Sequence, residues 1–133
     1  MMKRSGIFAA FASVTLLATS VLAGNSGAGP NRLLCATVDA RDCVRGSACV
    51  QGLAEEIGAP RFIRVDLERQ VLVGPKRTTP ILAMEQDEQQ LLLQGKELGH
   101  AWVFALDKAS GSFSGTLTSH EGAFVLFGNC VVP

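Results

Sequence analysis

The sequence predicts an all-β, mainly antiparallel fold: a small curled-sheet or barrel-like meander of six to seven strands, stapled by disulfides. Three observations predict it. From residue 61 onward apolar side chains recur with period two, the period of a half-buried strand. Turn-forming clusters interrupt these runs at intervals of about ten residues, as a meander requires. Four cysteines complete the pattern, three of them inside "CATVDARDCVRGSAC" (residues 35 to 49) and the fourth at position 130.

The chain opens as an export signal. Met1-Met2-Lys3-Arg4 is basic, Ile7 to Leu22 carries no charge, and Val21-Leu22-Ala23 supplies a small-residue exit before Gly24. That order reads as a cleaved signal peptide over residues 1–23. The apolar stretch is shorter than the roughly 20 residues a spanning helix needs, so no stable membrane span is expected after cleavage. Without Lys3 and Arg4, 10 Lys and Arg face 12 Asp and Glu, net −2. Such a balance excludes the basic field that a nucleic-acid partner wants.

Residues 24–34 read as a flexible lead-in, "GNSGAGP" having no apolar period. Residues 35–133 then form one β-rich domain. Between 31 and 60 the signal is weak; "LAEEIG" (53 to 58) reads as one helical turn ended by Gly58 and blocked by Pro60. In Arg61 to Glu68, Ile63, Val65 and Leu67 share one face, with "QVLVG" as a returning hairpin partner. "PILAME" and "QQLLLQG" flank the polar turn Gln86-Asp87-Glu88, with Leu91 and Leu93 on one face. "HAWVFALD" aligns Trp102, Phe104 and Leu106; Gly111 suits a positive φ in the next turn. "SFSGTLTS" alternates Phe113, Gly115 and Leu117 against Ser114, Thr116 and Thr118. His120-Glu121-Gly122 turns the chain, and "AFVLFGNCVV" closes it.

In an exported chain an even cysteine count reads as a disulfide framework. The spacing C-x7-C-x5-C-x80-C lacks the CxxC pair of zinc ribbons and thioredoxin-type centres. Three pairings of Cys35, Cys43, Cys49 and Cys130 remain open, and each joins Cys130 to the cluster. The long loop is worth about 4.5 kcal/mol and a short one about 2.5 on chain-entropy grounds, which does not choose between them. The pairs favoured are Cys43–Cys49, across a turn able to form at Gly46-Ser47, and Cys35–Cys130.

"CVRGSACV", "FIRVDLERQ", "LLLQGKELGHAWVFALDKASGSFSGT" and "FVLFGNC" carry a resemblance. Together they resemble a family of small secreted or periplasmic proteobacterial β-rich proteins. Its pattern has an N-terminal cysteine cluster, an F-I-R-V-D-L-like strand, an L-Q-G turn, a Trp strand ending in Asp, a D-x-x-x-G turn and a terminal F-G-x-C. The match covers about residues 35 to 130. It implies export and a stapled β domain, and it brings no catalytic residues.

No residue pattern calls for catalysis or a cofactor. His100 and His120, with Glu97 and Glu121 nearby, have ligand chemistry without ligand spacing. Ser110, Ser112, Ser114 and Ser119 lack a G-x-S-x-G elbow. Asp66, Asp107 and Glu97 sit at strand ends or on polar faces, unlike a buried general acid. Trp102, Phe104, Phe113, Phe124 and Phe127 read as core packing rather than as the lining of a ligand cavity. Charge is uneven: Arg61, Arg64, Arg69, Lys76 and Arg77 against Asp66 and Glu68 give net +3, while Glu85, Asp87, Glu88 and Glu97 against Lys96 give net −3. Those five basic residues are the candidate partner-binding face, unless neighbouring hairpins pair the opposite signs.

The expectation is therefore an exported, periplasmic or secreted, non-enzymatic binding or structural domain of the bacterial envelope. It has no metal and no cofactor, and its partner is an envelope or extracellular protein or polymer. Two further readings stand beside it. One is an inhibitor of an envelope-directed hydrolase, a lysozyme or a protease, acting through "KRTTP" (76 to 80) or "KASGS" (108 to 112). The other is a carrier of small apolar ligands, which needs an open cavity.

Overall fold

Period-two alternation does produce strands, and a computed structural model of the protein describes residues 30–133. The signal-peptide reading of residues 1–23 and residues 24–29 of the lead-in lie outside the described residues. Ten strands follow: β1 (Arg32–Val44), β2 (Val50–Gly52), β3 (Phe62–Asp66), β4 (Val71–Val73), β5 (Thr78–Pro80), β6 (Ala83–Gln86), β7 (Gln90–Glu97), β8 (His100–Asp107), β9 (Ser112–Thr118) and β10 (Gly122–Val131). All pair antiparallel in one curled, half-barrel sheet of order β5-β4-β3-β1-β10-β9-β8-β7-β6, with β2 beside β1.

Ten strands stand where six to seven were expected, and the difference has local causes. β1 begins at Arg32, so the last three residues of the expected lead-in belong to the sheet. Its alternation breaks at a register shift between Thr37 and Asp39, where Val38 bulges outward. Before the bulge β1 pairs with β3, and after it with β2. A strand that changes partner halfway has no single alternating pattern to read. "PILAME" splits into the end of β5 and the start of β6. The "LQG" of the family-like pattern lies inside β7, not in a turn.

The curl brings the ends of the sheet together. Edge strands β5 and β6 are joined by only Ile81 and Leu82. β5 thereby lies along β7 at a seam: Thr79 Oγ1 donates to Lys96 C=O at 3.3 Å, and from the link Leu82 N–H donates to Gln94 C=O at 2.8 Å. Arg77 meets Glu97 at 3.5 Å. This is the one ion pair among the described residues that joins the +3 stretch to the −3 stretch.

Inside the curl, large side chains fit because glycines face them. Trp102, 5% exposed, is the register partner of Gly95, and a Cβ at Gly95 would stand 2.2 Å from its ring. Phe113 faces Gly128 in the same way, with 2.5 Å to an added Cβ. Phe104 and Phe113 stack at 4.6 Å between centroids. Leu93, Leu126, Val65 and Cys35 are the largest of the fully buried side chains. Alternating small and large residues is how a tightly curled sheet fills its own interior.

The 53–59 segment forms the expected helical turn. Gly58 N–H donates to Glu55 C=O and Ala59 N–H to Ala54 C=O, a Schellman closure with Gly58 at φ 81°. Ala54 and Ala59 join the buried core, and Ile57 packs against it. Both favoured disulfides are present: Cys35–Cys130, between directly paired residues of β1 and β10, and Cys43–Cys49, across the β1–β2 turn. Two disulfides fit a chain matured in an oxidising compartment.

Candidate functional site

The five basic residues do not form one free face. Arg61 pairs with Glu55 at 3.1 Å and lies over the Phe62 ring, 5.5 Å from its centroid. Arg77 is held at the seam by Glu97. Arg69 lies in the β3–β4 turn, while Lys76 occupies the β4–β5 turn at the other end of β4. Arg64 alone projects from mid-strand, on the outer face of β3.

A different surface stands out on the opposite part of the sheet. Between Asp107 and the β9–β10 turn, the outer faces of β8, β9 and β10 carry no charged side chain. Registered pairing lays Ala105, Ser114 and Phe127 in one row, and Val103, Thr116 and Val125 in the next. Ser112 and Asn129 pair below them. Phe127 is 41% exposed; Val103 is exposed too, as is Val38 at the bulge. Phe127 therefore corrects the core list: it stands three residues from Phe124, and period two puts the two on opposite faces. Phe124 does pack on the core.

A shallow groove of about 590 Å3 crosses this face from Gln90 on β7 through Asp107, Ser114 and Phe127 to Val38 on β1. Its polar end is rigid. Asp107 Oδ1 accepts from Ala109 N–H at 3.0 Å, Ser110 N–H at 2.7 Å and Ser110 Oγ at 2.9 Å. Ser110 Oγ lies 2.8 Å from Ser112 Oγ, and Lys108 Nζ donates to the Asp87 carbonyl. "KASGS" is thus a tied turn, with Gly111 at the expected positive φ of 75°. "KRTTP" runs from a turn directly into β5.

These amide donors set the charge of the turn. The N–H and Oγ–H of Ser110 hold the Asp107 carboxyl below its ordinary value, and the N–H groups of Gln90 and Gln89 do the same for Asp87. A depressed carboxyl contributes stability above its unfolded value and loses it as pH falls through the lower folded value. Asp107→Asn is therefore expected to lower the thermal midpoint at neutral pH, with the gap to the parent closing below the ordinary value of 3.8. Thermal scans across that range check it; a gap independent of pH would assign the effect to lost turn geometry instead. A group held ionised in this way is unlike a general acid.

Other singled-out residues are dispersed. His120 meets only Glu121, at 3.8 Å, both well exposed. His100 Nδ1 lies 3.2 Å from the Leu98 carbonyl, and its ring tilts against Phe124 at 6.3 Å. Asp66 pairs with Arg32 and accepts from Arg69 N–H. Among the described residues no cluster of three His, Cys, Asp or Glu could hold a metal ion.

Comparison with family models, with curated proteins and with solved structures finds no match to the chain.

Two features escaped the sequence reading. From Ala109 to the C-terminus Glu121 is the only Asp, Glu, Lys or Arg, in a chain that is 18% charged overall. That deficit was the available signal for the neutral face. Leu98 is the other: it is 71% exposed at the tip of the β7–β8 hairpin, with φ 46° beside Gly99 at φ 79°. Two positive φ values mark a turn that favours Asn-Gly. Leu98→Asn is expected to stabilise the protein by about 1 kcal/mol, read as a raised denaturation midpoint. A lowered midpoint would mean that Leu98 makes contacts worth more than its backbone strain.

Proposed function

We propose that the chain is an exported, non-enzymatic binding domain of the bacterial envelope, periplasmic or secreted after loss of residues 1–23. One observation carries this reading: the neutral outer face of β8, β9 and β10, with Phe127 and Val103 exposed on it. Depletion of charge with an exposed aromatic residue is the composition of an interface core rather than of ordinary solvated surface. The two disulfides and the basic-then-apolar N-terminus support export. The resemblance to small secreted proteobacterial proteins points the same way.

The inhibitor reading has one observation in its favour, the exposed Leu98 at a two-residue hairpin tip. A short apolar hairpin tip is shaped to enter a pocket, and its two-residue turn leaves little backbone freedom to lose. The apolar-carrier reading loses its support, because Trp102, Phe104 and Phe113 occupy the interior that a ligand would need.

The test is a photo-crosslinker placed at Ser114, compared with one at Glu85 on β6, in the protein expressed with its own N-terminus in a proteobacterial host. The expected product begins at Gly24, resists a thiol alkylator at all four cysteines, and gives an adduct with envelope material from position 114 only. Equal adducts from both positions would remove the neutral face as the binding surface. Four alkylated cysteines, or an intact N-terminus, would remove export.

A further inference from the structure

We propose that the groove over β7 to β10 and the β1 bulge binds a neutral saccharide chain; this rests on the binding reading above and names its ligand class. The groove has two kinds of lining. Phe127, Val38 and Ala105 give it apolar ground, with the Phe127 ring partly exposed. Asp107, Gln89, Gln90, Ser112, Ser114 and Asn129 surround that ground with carboxylate, amide and hydroxyl groups. A sugar ring has the same division: an apolar face of C–H bonds, and an equator of hydroxyls that both donate and accept. Side-chain amides meet such hydroxyls in both senses, a carboxylate accepts from them, and serines do either.

Charge and shape narrow the choice. No Lys or Arg lines the groove, and Lys108 beside its polar end turns its Nζ to the Asp87 carbonyl, so the lining itself offers no cation to a phosphate or a uronate. The one carboxylate, Asp107, keeps Oδ1 on its own turn, while Oδ2 has no hydrogen-bond partner among the described residues. A free carboxylate oxygen in an otherwise neutral groove repels anions and accepts from a hydroxyl. Five strands at about 4.8 Å spacing make the groove about 19 Å long. It is open along its length, which suits a chain that continues beyond the site, and its volume lies within the range of ligand clefts. The Asp107 turn is tied before any ligand arrives, so the polar end is preorganised.

The test uses the purified, oxidised protein with cellotetraose, maltotetraose and chitotetraose as neutral probes and tetragalacturonate as the anionic one. NMR resonances of Gln90, Ser114, Phe127 and Asn129 are followed during titration. At least one neutral tetramer is expected to shift these residues together, with saturation in the micromolar to millimolar range. Phe127→Ala is expected to weaken that binding about tenfold, whereas Phe62→Ala, an exposed aromatic change on β3 outside the groove, leaves it unaltered. Tighter binding of tetragalacturonate, shifts centred elsewhere, or no shift with any neutral tetramer would overturn the proposal. In those cases the crosslinker at Ser114 separates the two readings. A protein adduct there rejects the saccharide and keeps the binding domain; no adduct rejects both.

Discussion

Replacing Cys35 and Cys130 together by alanine is expected to remove about 4.5 kcal/mol of stability. The bond joins residues 95 apart in sequence, close to the whole length of the described domain. Cutting it frees the unfolded chain to explore far more conformations, and chain-entropy arithmetic scales that gain with the logarithm of loop length. Small domains of this size have stabilities of roughly 5–15 kcal/mol, so the loss takes from about a third to nearly all of the margin. The pair also ties the central strand pair β1–β10, from which the rest of the sheet extends on both sides. Removing Cys43 and Cys49 instead opens a loop of sequence separation 6, and about 2.5 kcal/mol is expected from the same relation. Urea denaturation of the parent and both double variants decides the matter. Equal losses from the two pairs would show that loop closure is not what these bonds contribute.

Trp102→Ala is expected to destabilise the protein by about 3–5 kcal/mol. The ring is almost fully buried at the seam side of the curl, against the bare backbone of Gly95. Truncation loses its apolar burial and leaves a cavity that a curled sheet cannot easily collapse. Trp102→Phe is expected to lose much less, since a ring remains and the indole N–H, which has no hydrogen-bond partner among the described residues, disappears. Gly95→Ala is expected to be nearly as damaging as Trp102→Ala, because the new methyl would occupy the space of the ring. In the double variant the two effects do not add: once the ring is gone the methyl has room on that side, though the Pro80 carbonyl at 2.8 Å still limits it. Thermal midpoints of the four proteins give the coupling. Strict additivity would separate the glycine from the tryptophan and assign it to backbone conformation.

Local patterning made much of this legible. The period-two runs at Ile63, Val65 and at Trp102, Phe104, Leu106 are buried as read. Each such run declares its inward face within a few residues. β1 was not legible, because its bulge at Val38 and its change of partner from β3 to β2 erase the alternation. The basic residues looked like a site because they are close in sequence, yet two are ion-paired and the others lie at separate turns or on the β3 face. The neutral groove was invisible for the converse reason. Its lining comes from stretches between residues 38 and 129, and no short window contains it.

What the amino-acid sequence determined by itself is the strand chemistry from residue 61 onward, turns such as that at Gly111, and that the four cysteines are oxidised in pairs. These depend on neighbours along the chain or on an even count of thiols. Only the tertiary structure decided that β5 and β7 meet at a seam, that Gly95 and Gly128 make room for Trp102 and Phe113, and that Phe127 faces outward beside Ser114. Each of those follows from cross-strand register and sheet curl. Both are set by contacts between distant residues, where a shift of one position would exchange every inward and outward side chain.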